Sequence, residues 1–314
     1  MKFKKPKFWD YKKPNLLAYI LFPLSKIIDS KKIIKKEISE LKNIKKICIG
    51  NIYIGGTGKT SLAIEIKNIL TSMNYKCCFI KKSYEDQIDE QKLLSKNGDT
   101  ISNKSRIDAV KEAIKQNYQV AIFDDGLQDS DIKYDISFIC FNKKNFVGNG
   151  FVIPAGPLRQ SLRSLKDYKY YFLNGNDESI NESSKILKNL NEFCEIFDSR
   201  YSITNKEDFD LNDNFIAFSG IGNHSTFIET LRKNNFNVLK DIEFPDHYQY
   251  SENDIKKMIQ LSSKLNAKLL TTEKDYFRIK KIFYFQIKYV KTKLNITEIN
   301  NLKKLLMFEL EKNV

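Results

Sequence analysis

Apolar residues along this chain fall into short continuous runs separated by stretches of helical period, and the alternation begins at Lys46. "KICIGNIYI" reads as a strand buried on both faces, and "KTSLAIEIKNILTSM" after it carries the spacing of an amphipathic helix. "KCCFIKK" predicts a second strand, "SRIDAVKEAIKQN" another helix, and "QVAIFDDG" and "DISFICF" two more strands. Strand and helix in alternation imply parallel strands with right-handed crossovers, hence an α/β three-layer sandwich. A stretch rich in Gly and Pro, "VGNGFVIPAGPLRQSL", interrupts the pattern near Gly148 to Leu162. "YKYYFLNG", "NFIAFSGIG" and "AKLLTTEKD" then resume it, which predicts a second, smaller α/β domain. The expected division is 1–45 for an N-terminal segment, 46–164 for the core domain and 165–314 for the smaller one. No internal repeat is found, and the Asn- and Lys-rich stretch 174–206 is expected to be ordered in part, through "KILKNLNEFCEIF".

Charge changes the picture at the N-terminus. The net charge of +14 comes from 53 Lys+Arg against 39 Asp+Glu, and residues 1–46 alone hold 14 lysines and 4 acids. The basic character therefore belongs to one segment and not to the whole surface. Within it lies "NLLAYILFPLSKII", Asn15 to Ile28, an apolar run too short to span a bilayer, which takes roughly 20 apolar residues. Lysines and isoleucines follow it where a signal peptide would have a small-residue cleavage site. Lysines beside an apolar run, with Phe8 and Trp9 nearby, suit a helix lying in the interface of an anionic membrane. The alternative is a basic arm that packs on its own domain or touches nucleic acid. Five cysteines, Cys48, Cys77, Cys78, Cys140 and Cys194, form no CxxC pair and read as buried thiols in a reducing compartment, neither a disulfide framework nor a metal site.

Candidate chemistry starts in "GGTGKTS". Gly55, Gly56 and Gly58 permit backbone angles that let consecutive N–H groups turn toward phosphate oxygens. The expected nucleotide-contacting stretch is Tyr53, Ile54, Gly55, Gly56, Thr57, Gly58, Lys59 and Thr60, with Lys59 reaching the β and γ phosphates and Thr60 offering its hydroxyl to Mg²⁺. The strict phosphate-loop pattern wants glycine where Tyr53 stands. Some 65 residues on, "QVAIFDDG" ends an apolar strand in Asp124 and Asp125, the place where nucleoside triphosphatases of this class keep a carboxylate for Mg²⁺. These elements together predict an ATP–Mg²⁺ site on a P-loop NTPase-like core. "TTEKD", Thr271 to Asp275, has its lysine one place off a guanine-specificity element, so no GTPase is read. "SGIG", Ser219 to Gly222, is better explained as a tight strand-to-helix turn than as a dinucleotide fingerprint.

"GNIYIGGTGKTS", "DDGLQ", "GNGFVIPAGPLR", "FSGIGN", "FPDH" and "TTEKD", in this order and spacing, resemble the tetraacyldisaccharide 4'-kinases, the lipid A 4'-kinases of Gram-negative bacteria. The resemblance runs from "FW…NLLAYILFPLS" to about residue 280, and that family also lacks the first glycine of the loop. It implies transfer of the ATP γ-phosphate, with Mg²⁺, to the 4'-hydroxyl of a tetraacylated glucosamine disaccharide 1-phosphate. The implied setting is the cytoplasmic face of the bacterial inner membrane, held peripherally or monotopically, with no nucleic-acid partner. Two α/β domains with the site in the cleft between them, and an N-terminal helix reaching the lipid, are implied as well. The runner-up is a P-loop ATPase switch tethered to nucleic acid or membrane by its basic N-terminus.

In the family an aspartate of a "GDEP" motif pairs with the histidine of "DH". Asp89 and Glu90 fall at the "DE" positions when Arg106, Asp108 and Ala109 are kept in register, which makes Asp89 the implied general base, with Asp99 the alternative. His247 in "FPDHYQY" is the matching imidazole. By the same resemblance Tyr84, Glu90, Gln128 and Arg159 are implied around the substrate. The chain departs from the family where "KKSYED" replaces "SRGYG", where Asp129 replaces a histidine after "DDGLQ", where Gln160 replaces an acid after "PAGPLR", and where Ser61 replaces a proline.

Overall fold

The computed structural model describes residues 5–29, 41–82, 88–129, 131–176 and 180–312. Helix α1 (Leu16–Asp29) precedes β1 (Lys45–Gly50), α2 (Lys59–Ser72), β2 (Cys77–Lys82), α3 (Ile88–Asn97), β3 (Thr100–Asn103), α4 (Arg106–Lys115), β4 (Val120–Asp124) and β5 (Ile136–Asn142). Next come β6 (Tyr170–Asn174), α5 (Ile180–Leu190) and β7 (Glu195–Ile203). A second group follows: β8 (Asn214–Ser219), α6 (His224–Lys233), β9 (Asn237–Glu243), α7 (Glu252–Lys264), β10 (Lys268–Thr272), α8 (Glu273–Tyr276) and β11 (Ile287–Val290). The chain ends with β12 (Thr292–Ile296) and α9 (Ile299–Glu311).

Two sheets result, an eight-stranded one in the order β12-β7-β6-β5-β1-β4-β2-β3 and a four-stranded one in the order β11-β10-β8-β9. Pairing is parallel throughout except for β12, which runs antiparallel to β7. The central strands are continuous apolar runs because both faces are covered. On one face Leu62, Ile66 and Leu70 of α2, Leu94 of α3 and Leu302 and Leu306 of α9 meet Ile47, Ile122 and Phe138. On the other, Ala109 and Val110 of α4 pack against Ile80 and Phe123, and Leu187 of α5 joins the cluster of Cys48, Ile139 and Tyr171. This is the expected three-layer sandwich, with a smaller α/β sheet and an N-terminal helix added. All five cysteines are buried free thiols.

Two readings differ from what folds. The boundary expected at residue 165 does not follow the sheets: β6 and β7 extend the large sheet from β5, and β12 and α9 return to it after the small sheet is complete. Local alternation is the same on both sides of the Gly/Pro loop, so it cannot tell which sheet a strand joins. In addition, α3 and β3 intervene between the second predicted strand and the helix "SRIDAVKEAIKQN". The edge strand "TISN" is four residues long and half-exposed, so it carries no apolar run to read.

Candidate active site

β1 lies between β4 and β5, so the loop after it opens at the centre of the sheet's C-terminal edge, where open α/β sheets bind ligands. That loop delivers Lys59 and Thr60 into the first turn of α2 through Gly58, whose φ of +84° is left-handed. A side chain at Gly58 would put its Cβ 2.4 Å from the Tyr201 hydroxyl and 2.8 Å from Asn174 Nδ2, so only glycine fits. Beneath the loop, Asn174 Nδ2 donates to Thr57 O at 2.6 Å and Asn51 Nδ2 donates to Thr57 Oγ1 at 2.9 Å. Helices α4, α6 and α7 are capped by the side chains of Ser105, Asn223 and Ser251, whereas α2 has no side-chain cap. Among the described residues the N–H groups from Gly55 to Thr60 donate to no backbone carbonyl. An uncapped helix N-terminus behind a glycine loop is an anion site.

The start of the expected nucleotide stretch is used differently. Ile54 N donates to Pro157 O at 2.8 Å, and Tyr53 O accepts from Asn51 Nδ2 at 2.6 Å, which fixes this part of the loop to the "PAGP" segment and to β1. The Tyr53 ring is 1% exposed, and its hydroxyl donates to Asp10 Oδ1 and accepts from Lys5 Nζ at 2.9 Å. Burial and the Asp10 hydrogen bond hold its phenol protonated. Tyr53 therefore anchors the N-terminal segment in the position where other phosphate loops have glycine, and its ring is not free to face a phosphate. Trp9 adds to this anchor: it is buried and its indole N–H donates to Pro154 O at 3.1 Å.

Asp124 and Asp125 end β4 beside the loop, and they separate into two roles. Asp124 is fully buried; its Oδ2 accepts from Thr60 Oγ1 at 3.2 Å and from Lys81 Nζ at 2.9 Å, while Oδ1 has no hydrogen-bond partner among the described residues. A buried, unpaired carboxylate oxygen next to a threonine hydroxyl is costly by itself and chemically suited to a hard divalent ion. Thr60 and Asp124 thus fit Mg²⁺. Asp125 takes a left-handed φ of +61° and turns its carboxylate to Arg159 Nη1 at 2.9 Å and Lys59 Nζ at 3.8 Å. Burial by itself would raise its carboxyl, but Lys59 and Arg159 outweigh that and bring it down to about 2. Asp125, expected beside Asp124 as a metal ligand, places Oδ1 against these two cations.

Two further expected residues, Gln128 and Glu90, lie in the same neighbourhood, with Asp129 beside them. Gln128 donates to Asn51 O at 2.9 Å and accepts from Arg159 at 3.1 Å, which ties the "DDGLQ" turn to the end of β1. Asp129, which stands where the family has histidine, forms an ion pair with Arg106 of α4 at 2.9 Å, and Arg106 also donates to Asp125 O at 2.8 Å. Glu90, near the start of α3, binds Lys81 at 2.6 Å and Lys274 at 3.1 Å. Burial opposes its charge, and Lys274 and Lys81 overcome this and hold the carboxyl well below the usual range.

Lys81 and Lys274 are site residues that motif reasoning missed. Lys81 is 2% exposed near the end of β2 and is followed directly by Lys82, so the sequence carries no mark that sets it apart as internal. Lys274 belongs to "TTEKD", which is set aside as a guanine element and counts toward the family resemblance without a role for its lysine; from α8 of the small sheet it reaches Glu90 and lies 3.4 Å from Thr60 Oγ1. A second contact also brings the small sheet to the loop. Gly222 lies so close that a Cβ there would be 2.3 Å from Gly56 N.

Asp89 lies in the first turn of α3, next to Glu90 in sequence. Asp99 precedes β3, at the N-terminal edge of the sheet and away from the loop, where it accepts from the Tyr118 hydroxyl at 2.8 Å. His247 takes a φ of +54°, donates its N–H to Gly220 O at 3.0 Å, and has Nδ1 3.4 Å from Arg278 Nη2. Arg278 is itself held by Asp275 at 3.0 Å and Gly220 O at 2.6 Å. The imidazole is thereby attached to the "SGIG" turn whose Gly222 touches the phosphate loop. Tyr84 lies outside the described residues.

Comparison with known proteins agrees with this geometry. Residues 18–311 match the sequence profile of the family described as tetraacyldisaccharide-1-P 4'-kinase. A tetraacyldisaccharide 4'-kinase of Pelagibacter ubique (strain HTCC1062) is 51% identical over 314 residues, covering 100% of both chains. One from Rickettsia bellii (strain OSU 85-389) is 33% identical over 293 residues, 87% of this chain and 89% of the relative. A crystal structure of LpxK from Aquifex aeolicus in complex with ATP superposes with a TM-score of 0.67 over 94% of this chain and 100% of that one, at 20% identity. The fold, the loop with its magnesium-suited carboxylate, and identity over the whole length lead to one assignment: this chain belongs to the tetraacyldisaccharide 4'-kinase family.

Proposed function

We propose that this kinase phosphorylates the 4'-hydroxyl of a tetraacylated glucosamine disaccharide 1-phosphate at the cytoplasmic surface of the inner membrane, with Asp89 as general base. The observation that carries the nucleotide side is the meeting of Lys59, Thr60 and the unpaired Asp124 Oδ1 at the mouth of an uncapped helix. Lys59 and the loop N–H groups hold the β and γ phosphates. Thr60 and Asp124 would hold magnesium, which would supply charge neutralisation at those phosphates. Asp89 takes the proton of the sugar hydroxyl as its oxygen attacks the γ-phosphorus and the bond to the ADP oxygen breaks; His247 orients that carboxylate. Arg159 and Gln128, fixed on the Asp125 turn, border the acceptor side. The test is incubation with ATP, Mg²⁺ and the tetraacylated disaccharide 1-phosphate in detergent. A bis-phosphorylated lipid is expected. ATP hydrolysis stimulated by DNA or RNA, with no such lipid, would sink the reading in favour of a nucleic-acid-regulated ATPase.

The membrane part of the proposal rests on α1. Its buried positions include Ser25, whose hydroxyl donates to Val152 O at 2.7 Å and accepts from Ala155 N at 3.1 Å, while Phe22 packs on Phe151 with ring centroids 4.7 Å apart. Leu16, Leu17, Ile20 and Leu24 face outward and are exposed. A helix that turns serine inward and leucine outward is inverted relative to a water-facing one, which suits an apolar medium on its outer side. Among the described residues no helix is long and apolar enough to cross a membrane. The double variant Ile20→Asp, Leu24→Asp is expected to lower co-sedimentation with phosphatidylglycerol vesicles about tenfold or more. Thermal stability should hold, because both side chains lie outside the core. Unchanged sedimentation would remove α1 as the membrane contact.

A further inference from the structure

Lys81 stands on β2 next to the end of β4, since the pairing of Ile80 with Phe123 sets it beside Asp124. Its ammonium lies 2.9 Å from Asp124 Oδ2 and 2.6 Å from Glu90 Oε2. Lys274 Nζ is 3.1 Å from the other Glu90 oxygen. Within this cluster, two carboxylates meet two ammonium groups, so the acids are balanced before any metal arrives. Buried charges of one sign would otherwise be strongly destabilising. One oxygen is left over, Asp124 Oδ1, buried and without a hydrogen-bond partner among the described residues. The family stretch "SRGYG" begins with serine at the position where this chain has Lys81.

We propose that Lys81 is a positioning residue acting as a resident counter-ion: it occupies Asp124 Oδ2 and one oxygen of Glu90, and leaves Asp124 Oδ1 as the one oxygen of these two carboxylates open to the divalent ion. Free Mg²⁺ then finds an acid cluster without net charge and binds weakly, and the ion is recruited only as its complex with nucleotide, whose phosphates supply the missing negative ligands. The inference rests on assigning Thr60 and Asp124 to the metal. The two fail separately, because the kinase reading is scored on lipid product and this one on metal binding.

The experiment is a titration of the purified full-length protein with Mn²⁺, free ion being counted by electron paramagnetic resonance, with and without a non-hydrolysable ATP analogue. The ion at this site is the one lost in Asp124→Asn. Wild-type protein is expected to bind it in the micromolar range only when the analogue is present. Lys81→Met should tighten Mn²⁺ binding to the nucleotide-free protein at least about tenfold, since removing one positive charge a few ångströms from a divalent ion changes its affinity by more than that even at protein-like dielectric. Its melting temperature should fall in EDTA and recover in Mn²⁺. Lys81→Ser, which restores the family residue, should behave in the same direction and covers the case in which the methionine variant fails to fold. Micromolar Mn²⁺ binding by nucleotide-free wild type would overturn the proposal on its own. So would a folded Lys81 variant with unchanged Mn²⁺ affinity and an equal loss of stability in EDTA and in Mn²⁺.

Discussion

Lys59→Ala is expected to lower phosphoryl transfer at least about a thousandfold, near 4 kcal/mol of transition-state stabilisation. Charge develops on the γ-phosphate oxygens as the group moves, and Lys59 is the cation delivered there by the first turn of α2. The loss should fall on turnover more than on folding. Asp125 keeps its ion pair with Arg159 at 2.9 Å when Lys59 is gone, and Asn174 still holds the loop through Thr57. A melting temperature close to wild type therefore accompanies the loss, and lipid phosphorylation is the readout. Turnover within a factor of a few of wild type would reject the loop as the site of phosphoryl transfer.

Asp89→Ala is expected to reduce turnover by about 10²- to 10⁴-fold, the usual contribution of a general base, with little change in ATP affinity. Asp99→Ala is the matched control. Its carboxylate sits at the opposite edge of the sheet and accepts one hydrogen bond from Tyr118, so it should cost about 1 kcal/mol of stability and leave turnover alone. Steady-state kinetics with ATP and lipid varied separately, together with thermal melts, distinguish the two. If Asp99→Ala is the inactive variant and Asp89→Ala the active one, the base is misassigned and the alignment of that stretch is wrong.

Periodicity made β1, α2, β2, α4, β4 and β5 legible, because a strand covered on both faces must be apolar throughout and an amphipathic helix must repeat its apolar face. The phosphate loop was legible for a different reason: its tight backbone leaves few residue types that fit, and Gly58, left-handed and pressed against Tyr201 and Asn174, shows how narrow that limit is. The edge strand β3 has no such constraint and left no pattern. Lys81 and Lys274 were missed because a lysine at a strand end, or in the first turn of a short helix, is ordinarily a solvated charge. Only contact with Glu90 and Asp124 makes them part of the site.

By itself the sequence determined the layered α/β architecture, the nucleotide loop, the family, and a basic apolar segment at the N-terminus. Each is local in the chain, carried by the period of apolar positions or by residues a few places apart. The tertiary structure decided which sheet each strand joins, and that β12 and α9 return to the first one. It also decided that Tyr53 anchors the N-terminal segment, that Asp125 faces Arg159 and Lys59 while Asp124 keeps an open oxygen, and that a buried lysine stands against that carboxylate. These depend on strand register and on contacts between residues tens to hundreds of positions apart, where the energetic outcome is set by which charges share a desolvated space.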